Sequence, residues 1–255
     1  HWRHTRQLAT GRTLVICDTT EIDFGGRREI AGVGPTGNGS GQGFLLHNAL
    51  MVDADSRAIL GIAGQTIHYR PKKKVSKKEN RSQRLSRHRE SQVWGQVIDD
   101  IGQPAEDTEY VYVCDRGADN FEVFCHLQQQ NSDWVIRAKA KNRHLLMVDG
   151  GSTTLGGLLK QLTVRGHYDL QLRARPAQPA RTARIEVSTG QALIPVPRHK
   201  SPWIRKLNPQ PIAVNVVRVR EVDAPEGVTP IEWVLYTSLC VRTFAQVWEV
   251  IEIYE

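Results

Sequence analysis

Two aspartates stand directly after two similar apolar segments of the chain. Asp18 follows residues 14–17, and Asp115 follows residues 111–114. In an open α/β sheet, ligands bind at the carboxyl ends of strands. If the two strands are adjacent and parallel, these carboxylates would project side by side. Adjacent carboxylates repel unless a cation lies between them, and Mg²⁺ or Mn²⁺ suits such hard oxygen ligands. The pattern predicts a metal site for phosphoryl transfer; the alternative is that each aspartate caps a strand or turn.

The segments around these aspartates alternate between strand and helix patterns. Predicted strands occupy residues 13–17, 44–52, 58–69, 110–114 and 134–138. Short connections between the first three indicate an antiparallel meander. A helical face then precedes the fourth strand, with Gly102 as its C-terminal cap; it consists of Trp94, Val97, Ile98 and Ile101. A second helix, capped by Asp119, follows the fourth strand; its face consists of Phe121, Phe124, Cys125 and Gln128. A helical crossover places a strand parallel to an earlier one, and this order matches an α/β, ribonuclease-H-like mixed sheet with flanking helices.

The chain is expected to divide into three segments. Residues 1–138 form the first part of the core, and residues 139–230, rich in Pro, Arg and Gln, form a β-rich insertion. Residues 231–255 then return to the core. This last segment contains an apolar strand and a helix that opens with a capping box of Thr243 and Gln246. The expected buried face of that helix consists of Phe244, Val247, Trp248, Ile251 and Tyr254.

The charge of the chain favours polyanionic partners. The net charge is +7 and the pI about 9.4, and residues 70–89 hold ten Lys or Arg and one acid, Glu79. Such a segment predicts sequence-independent contact with DNA phosphates, with Lys72, Lys73 and Lys74 as candidate contacts; the alternative is a solvated basic loop. No apolar run approaches the ~20 residues of a membrane span. The four cysteines lack zinc spacing, which favours a reducing, intracellular setting.

Two further patterns resemble sites but are interpreted as structural. Residues 32–37 match G-x-G-x-x-G, yet the following residues predict a strand, whereas a dinucleotide site requires a helix there. His47 and His68 lie in predicted strands without metal-ligand spacing, which indicates structural histidines.

Three segments resemble one enzyme family. They are residues 18–20 (Asp-Thr-Thr), residues 114–119 (Cys-Asp-Arg-Gly-Ala-Asp) and residues 135–139 (Val-Ile-Arg-Ala-Lys). They are similar to the cut-and-paste DDE transposases of bacterial insertion sequences, in the group whose third-carboxylate signature is Tyr, Arg, Glu and Lys on one helix. The resemblance runs from about residue 14 to the end and matches the insertion only loosely. It implies that Asp18 and Asp115 are the first two catalytic, metal-binding carboxylates.

The resemblance also implies DNA contacts. Arg137 and Lys139 would bind phosphate, Trp233 would stack on a flipped base, and Tyr254 matches the signature Tyr. For Arg137, Lys139 and Trp233 the alternatives are ordinary surface charge and core packing.

The resemblance further implies that this chain is part of a longer protein. The signature Arg and catalytic Glu lie three and seven residues after the Tyr, so the third carboxylate is expected beyond residue 255; Glu252 and Glu255 do not match it. The family's N-terminal end-recognition domain and C-terminal dimerisation region would also be missing, and the first residue is His1 rather than Met.

The sequence thus predicts a bacterial, cytoplasmic transposase core that acts on double-stranded DNA at transposon ends and target, as a homodimer in its full-length form and without a membrane partner. The alternatives are a stand-alone nuclease of the same fold and a DNA-binding remnant that cuts nothing.

Overall fold

The computed structural model describes residues 1–27, 29–72, 80, 83, 90–174 and 179–255. The chain folds into two compact units. The first comprises residues 1–133 and 196–210, and the second comprises residues 134–195 and 211–255. These boundaries differ from the three segments expected from the sequence, because part of the expected insertion, residues 196–210, packs within the first unit.

The first unit is an α/β structure. Its elements in chain order are α1 (Trp2–Leu8), β1 (Gly11–Asp23), β2 (Gly34–Thr36), β3 (Gly41–Asp53), β4 (Ile59–His68), α2 (Val93–Ile101), β5 (Thr108–Cys114), α3 (Phe121–Gln129) and α5 (Pro202–Leu207). Strand β3 pairs antiparallel with β1, β2 and β4. Strand β5 pairs parallel with β1. The predicted meander, and the parallel strand that follows the helix, are therefore confirmed.

Strand β1 is longer than the apolar run that predicted it. Its parallel pairing with β5 stops at Cys17, but its antiparallel pairing with β3 continues to Asp23. The prediction that this strand ends at Asp18 was wrong, because β3 still supplies hydrogen-bond partners where β5 no longer does.

Helices α2 and α3 lie where the sequence predicted them, but the N-cap of α3 is not the predicted residue. Helix α2 buries all four residues of its predicted face and ends at Gly102, whose positive φ of 78° is one that glycine adopts readily. Helix α3 is capped by Asn120 rather than by Asp119: the Asn120 side chain accepts the backbone N–H of Glu122 at 3.0 Å. Gln128, expected on the buried face of α3, is exposed, and Leu127 is buried instead.

Helix α5 brings an aromatic side chain to the first unit from far along the chain. The Trp203 ring is stacked on the His126 ring of α3, with centroids 4.0 Å apart and an angle of 8° between planes. The His126 Nδ1 in turn lies 2.9 Å from the carboxylate of Asp99 on α2. No local pattern in the sequence indicated this contact.

The second unit is built on antiparallel strands. Its elements are β6 (Asp133–Arg137), β7 (His144–Leu146), β8 (Ser152–Thr154), α4 (Leu155–Leu158), β9 (Thr163–Leu172), β10 (Arg181–Ile194), β11 (Ile212–Glu221), β12 (Glu232–Thr237) and α6 (Phe244–Tyr254). The first residue of β6, Asp133, still belongs to the first unit. The strand order runs β6-β12-β11-β10-β7-β8, and β9 also pairs with β10. Residues 139–230, which were expected to be rich in β-structure, hold strands β7 to β11.

Helix α6 opens as predicted but buries a rotated face. The capping box is present, with the Thr243 side chain accepting from Gln246 N and the Gln246 side chain accepting from Thr243 N. The buried residues of α6 are Val247, Val250, Ile251 and Ile253. Phe244, expected inside, is 38% exposed, and Trp248 and Tyr254 are half-buried. Their rings contact other aromatic rings instead of filling the core.

Candidate functional site

The register of β1 and β5 brings the two predicted catalytic aspartates to neighbouring strands. Cys17 pairs with Cys114 at the end of the parallel ladder, and the next residue on each strand is an aspartate. Both Asp18 and Asp115 are exposed. Because β1 and β5 are parallel, the two carboxylates follow the same edge of the ladder.

Asp115 is held by the turn that follows it. Its backbone is extended, and its Oδ1 accepts the backbone N–H of Gly117 at 2.7 Å. A Cβ on Gly117 would lie 2.8 Å from Cζ2 of Trp94 and 2.9 Å from Oδ1 of Asp115. Glycine is therefore required at this position for the turn to keep its contact with the Asp115 carboxylate.

Asp18 lies in a row of polar side chains that the sequence analysis missed. In the β1–β3 ladder its partner is Asn48, and the partner of Asn48 on β4 is Gln65. The Gln65 amide donates to Oδ1 of Asn48 at 2.6 Å. Laterally paired residues point to the same face of a sheet, so oxygen-bearing side chains continue from Asp18 across β3. Only the pairing register reveals this row.

A buried layer supports the two strand ends. Cys17, Cys114 and His47 are almost fully buried, and Nδ1 of His47 lies 2.8 Å from Oγ1 of Thr19. The His47 ring contacts the Trp94 ring edge-on, with centroids 4.3 Å apart. Burial raises the pKa of the Cys114 thiol well above its usual value. These residues pack as a layer beneath the two strand ends.

The two carboxylates are of the chemical type that hard divalent cations prefer. Both are oxygen donors that solvent reaches, and Asp115 engages one of its oxygens with Gly117 N. Magnesium commonly binds through one or two carboxylates while water and phosphate complete its shell. Among the described residues, no three His, Cys, Asp or Glu side chains converge as a metal-binding group.

Four of the predicted DNA contacts, Arg137, Lys139, Trp233 and Tyr254, lie in the second unit. Strands β6 and β12 are antiparallel, with Arg137 paired to Leu235 and the backbone N–H of Ala138 bonded to Val234 O at 2.8 Å. The carboxyl end of β6, which leads to Lys139, therefore lies beside the first residues of β12.

Trp233 is half-buried at this same end of β12. Its ring is stacked on that of Tyr254, with centroids 5.6 Å apart and an angle of 29° between planes. Helix α6 thus runs back along β12, and its last turn supports the Trp233 ring.

An ion-pair network missed by the sequence analysis fixes the residue next to Trp233. Glu232 accepts from Nε of Arg218 at 2.8 Å and also from Lys141. Burial opposes ionisation of Glu232, but the hydrogen bonds from Lys141 and Arg218 outweigh it and lower the pKa of this carboxyl. Lys141 follows Lys139 closely, so the network adds positive charge to this end of the strands.

The basic segment is only partly described. Lys72 is exposed, and its Nζ lies 3.3 Å from Oε1 of Glu29. Lys73 and Lys74 lie outside the described residues.

The two patterns interpreted as structural fit that interpretation. Residues 34–36 form β2 and lead through a turn to β3, so no helix follows the glycine motif. His68, like His47, is buried in a strand.

No protein-family model matches this chain. The longest described helix, α6, has 11 residues, and among the described residues no helix is long and apolar enough to cross a membrane.

Proposed function

We propose that this chain is the catalytic core of a DNA transposase of ribonuclease-H-like fold. The observation that carries the proposal is the β1–β5 register, which sets Asp18 and Asp115 directly after paired residues of neighbouring parallel strands. Ligands bind at such strand ends, and a carboxylate pair there suits Mg²⁺- or Mn²⁺-dependent phosphoryl transfer. The substrate is double-stranded DNA at transposon ends and target.

In this proposal Asp18 and Asp115 hold the metal and are the catalytic residues. A bound divalent metal would activate the attacking oxygen and stabilise the leaving one. The hydrogen bond from Gly117 N orients Asp115, and the buried layer of Trp94 and His47 keeps the strand ends in place. The family resemblance assigns a third carboxylate to a position beyond Glu255.

The second unit supplies the DNA contacts in this proposal. Arg137 and Lys139 bind backbone phosphates through charge-assisted hydrogen bonds. Trp233 stacks on an unpaired base, an interaction worth ~1–3 kcal/mol, while Tyr254 supports the opposite side of its ring. The proposal includes a homodimer for the full-length protein.

Metal binding tests the site itself. Titration of Mn²⁺ into the 255-residue chain, followed by the loss of the free-ion electron paramagnetic resonance signal, is expected to show binding that Asp18→Asn and Asp115→Asn each weaken by about tenfold or more, as loss of a ligating carboxylate implies. Asp55→Asn is the matched control, since Asp55 is an exposed aspartate in the turn after β3. Equal binding by all four proteins would refute the site.

The reaction is tested with the complete product of the gene. A transposase cleaves only DNA that carries the inverted-repeat ends of its element and joins the 3′ hydroxyl to target DNA in a metal-dependent manner. Cleavage of any DNA without joining would indicate a nuclease instead. Retardation of DNA in a gel with no cleavage would indicate a DNA-binding protein without catalysis.

A further inference from the structure

A polar pocket of about 560 Å³ lies in the second unit, at the carboxyl end of β12. Its walls come from β9, β10, β11 and the loop between β12 and α6. Ser238, which lines this pocket, is five positions along the chain from Trp233 at the other end of β12. At ~3.3 Å per residue along the strand, the pocket lies about 17 Å from Trp233. It is therefore a different site from the proposed DNA contacts.

The pocket carries positive charge without a balancing acid. Arg165 and Arg242 both line it, and none of its ten lining residues is Asp or Glu. Nε of Arg165 donates to Oγ1 of Thr189 at 2.7 Å, which fixes this guanidinium against the pocket wall. Arg242 is exposed, and its backbone N–H donates to the Gln246 side chain at 3.0 Å, so the capping box of α6 holds its loop.

Hydrogen bonds hold the rest of the wall in one arrangement. Nδ2 of Asn215 donates to Leu239 O at 2.7 Å, and Oδ1 of Asn215 accepts from Gln191 at 3.0 Å. These bonds join β10, β11 and the loop after β12. A pocket whose walls are already ordered loses little conformational entropy when a ligand enters.

We propose that this pocket binds the phosphate group of a nucleotide, either free or within a DNA strand. Guanidinium groups pair with phosphate oxygens through charge-assisted, often bidentate hydrogen bonds. The volume falls in the range of small-molecule sites, ~300–1,000 Å³, and leaves room for more than a single inorganic anion. The proposal does not depend on the transposase function, because it uses none of the residues assigned to that function.

The test uses isothermal titration calorimetry with the 255-residue chain. The probes are deoxyadenosine monophosphate, a short single-stranded oligonucleotide and deoxyadenosine, which lacks the phosphate. We expect the monophosphate, the oligonucleotide or both to bind, and deoxyadenosine not to bind. Arg242→Gln should weaken that binding about tenfold or more, the usual effect of losing a hydrogen bond between charged groups.

The controls separate this pocket from general charge effects. Arg184→Gln removes one exposed arginine of β10 outside the pocket and should change the affinity less than twofold. Arg165→Gln should act like Arg242→Gln. Both arginines are exposed, but the Arg165 side chain is hydrogen-bonded to Thr189, so Arg242→Gln is the variant expected to keep the wild-type melting temperature.

Binding of the monophosphate assigns the site to free nucleotides, and Arg242-sensitive binding of the oligonucleotide alone assigns it to a strand. The proposal is overturned if neither phosphate probe binds, if deoxyadenosine binds as well as the monophosphate, or if Arg242→Gln and Arg184→Gln have equal effects.

Discussion

Arg181→Met is expected to destabilise the second unit by about 1–3 kcal/mol at pH 7, because it leaves the Glu221 carboxylate without its cation. The Glu221 side chain is 0% exposed, and that of Arg181 is 20% exposed. Arg181 donates to both Glu221 oxygens, with Nη2 at 3.0 Å from Oε2, and the backbone N–H of Ile231 adds a bond of 3.1 Å. After the substitution, only the Ile231 bond remains among these three.

The destabilisation should depend on pH. Hydrogen bonds from Arg181, and more weakly from Ile231 N, lower the pKa of Glu221 below its usual value against the effect of burial. Such a carboxylate contributes stability above its unfolded pKa of ~4.3, and this is lost as the pH falls through the lower folded pKa. In the Arg181→Met protein, burial without the arginine raises the pKa of Glu221, so protonation relieves the penalty. The difference between the two proteins should therefore shrink as the pH falls from neutral toward the unfolded pKa.

Equilibrium urea unfolding at neutral and at acidic pH measures this difference. Arg184→Met is the matched control, since Arg184 is an exposed arginine on the same strand, β10. A loss below about 1 kcal/mol, the usual value of an exposed ion pair, or a loss that is the same at both pH values, would refute the reasoning.

Three other substitutions have defined outcomes. Trp233→Ala should weaken binding of single-stranded DNA by about 1–3 kcal/mol in fluorescence anisotropy, while Trp2→Ala, at an exposed Trp of α1, should not; equal effects would remove Trp233 from the interface. Asn120→Ala should lower the free energy of unfolding by about 1 kcal/mol through loss of the α3 cap, and an unchanged urea midpoint would contradict that cap. Changing Lys72, Lys73 and Lys74 together to Ala should flatten the salt dependence of DNA affinity by up to about 3 units of slope, and an unchanged slope would show that they do not contact phosphate.

Local patterns predicted the elements of this fold well. The spacing from Trp94 to Ile101 and the Thr243–Gln246 capping box each specify a helix through residues within one or two turns, and both are present. The adjacency of Asp18 and Asp115 could also be anticipated, because a helix between two apolar strands implies a parallel pair. These features depend on interactions that are short in sequence or fixed by chain topology.

Features that depend on packing against distant residues, or on the exact local backbone conformation, could not be predicted. The buried face of α6 is rotated away from Phe244, because the aromatic rings of this helix contact other rings at the surface. The N-cap of α3 is Asn120 and not the predicted Asp119. Asp119 ends the short 3₁₀ turn that follows Asp115, and of the two residues only Asn120 has the extended backbone of an N-cap. The Asn48–Gln65 row depends on strand register, which the sequence pattern specified only approximately.

The return of residues 196–210 to the first unit has a consequence for how the protein is made. A ribosome releases the chain from its amino end, so residues 1–133 emerge long before α5 does. Until then, the His126 ring lacks the Trp203 ring that stacks on it. The first unit can be completed only after residues 134–195 of the second have been synthesised. Neither unit can therefore be finished before the other has begun, and no single proteolytic cut releases either one whole.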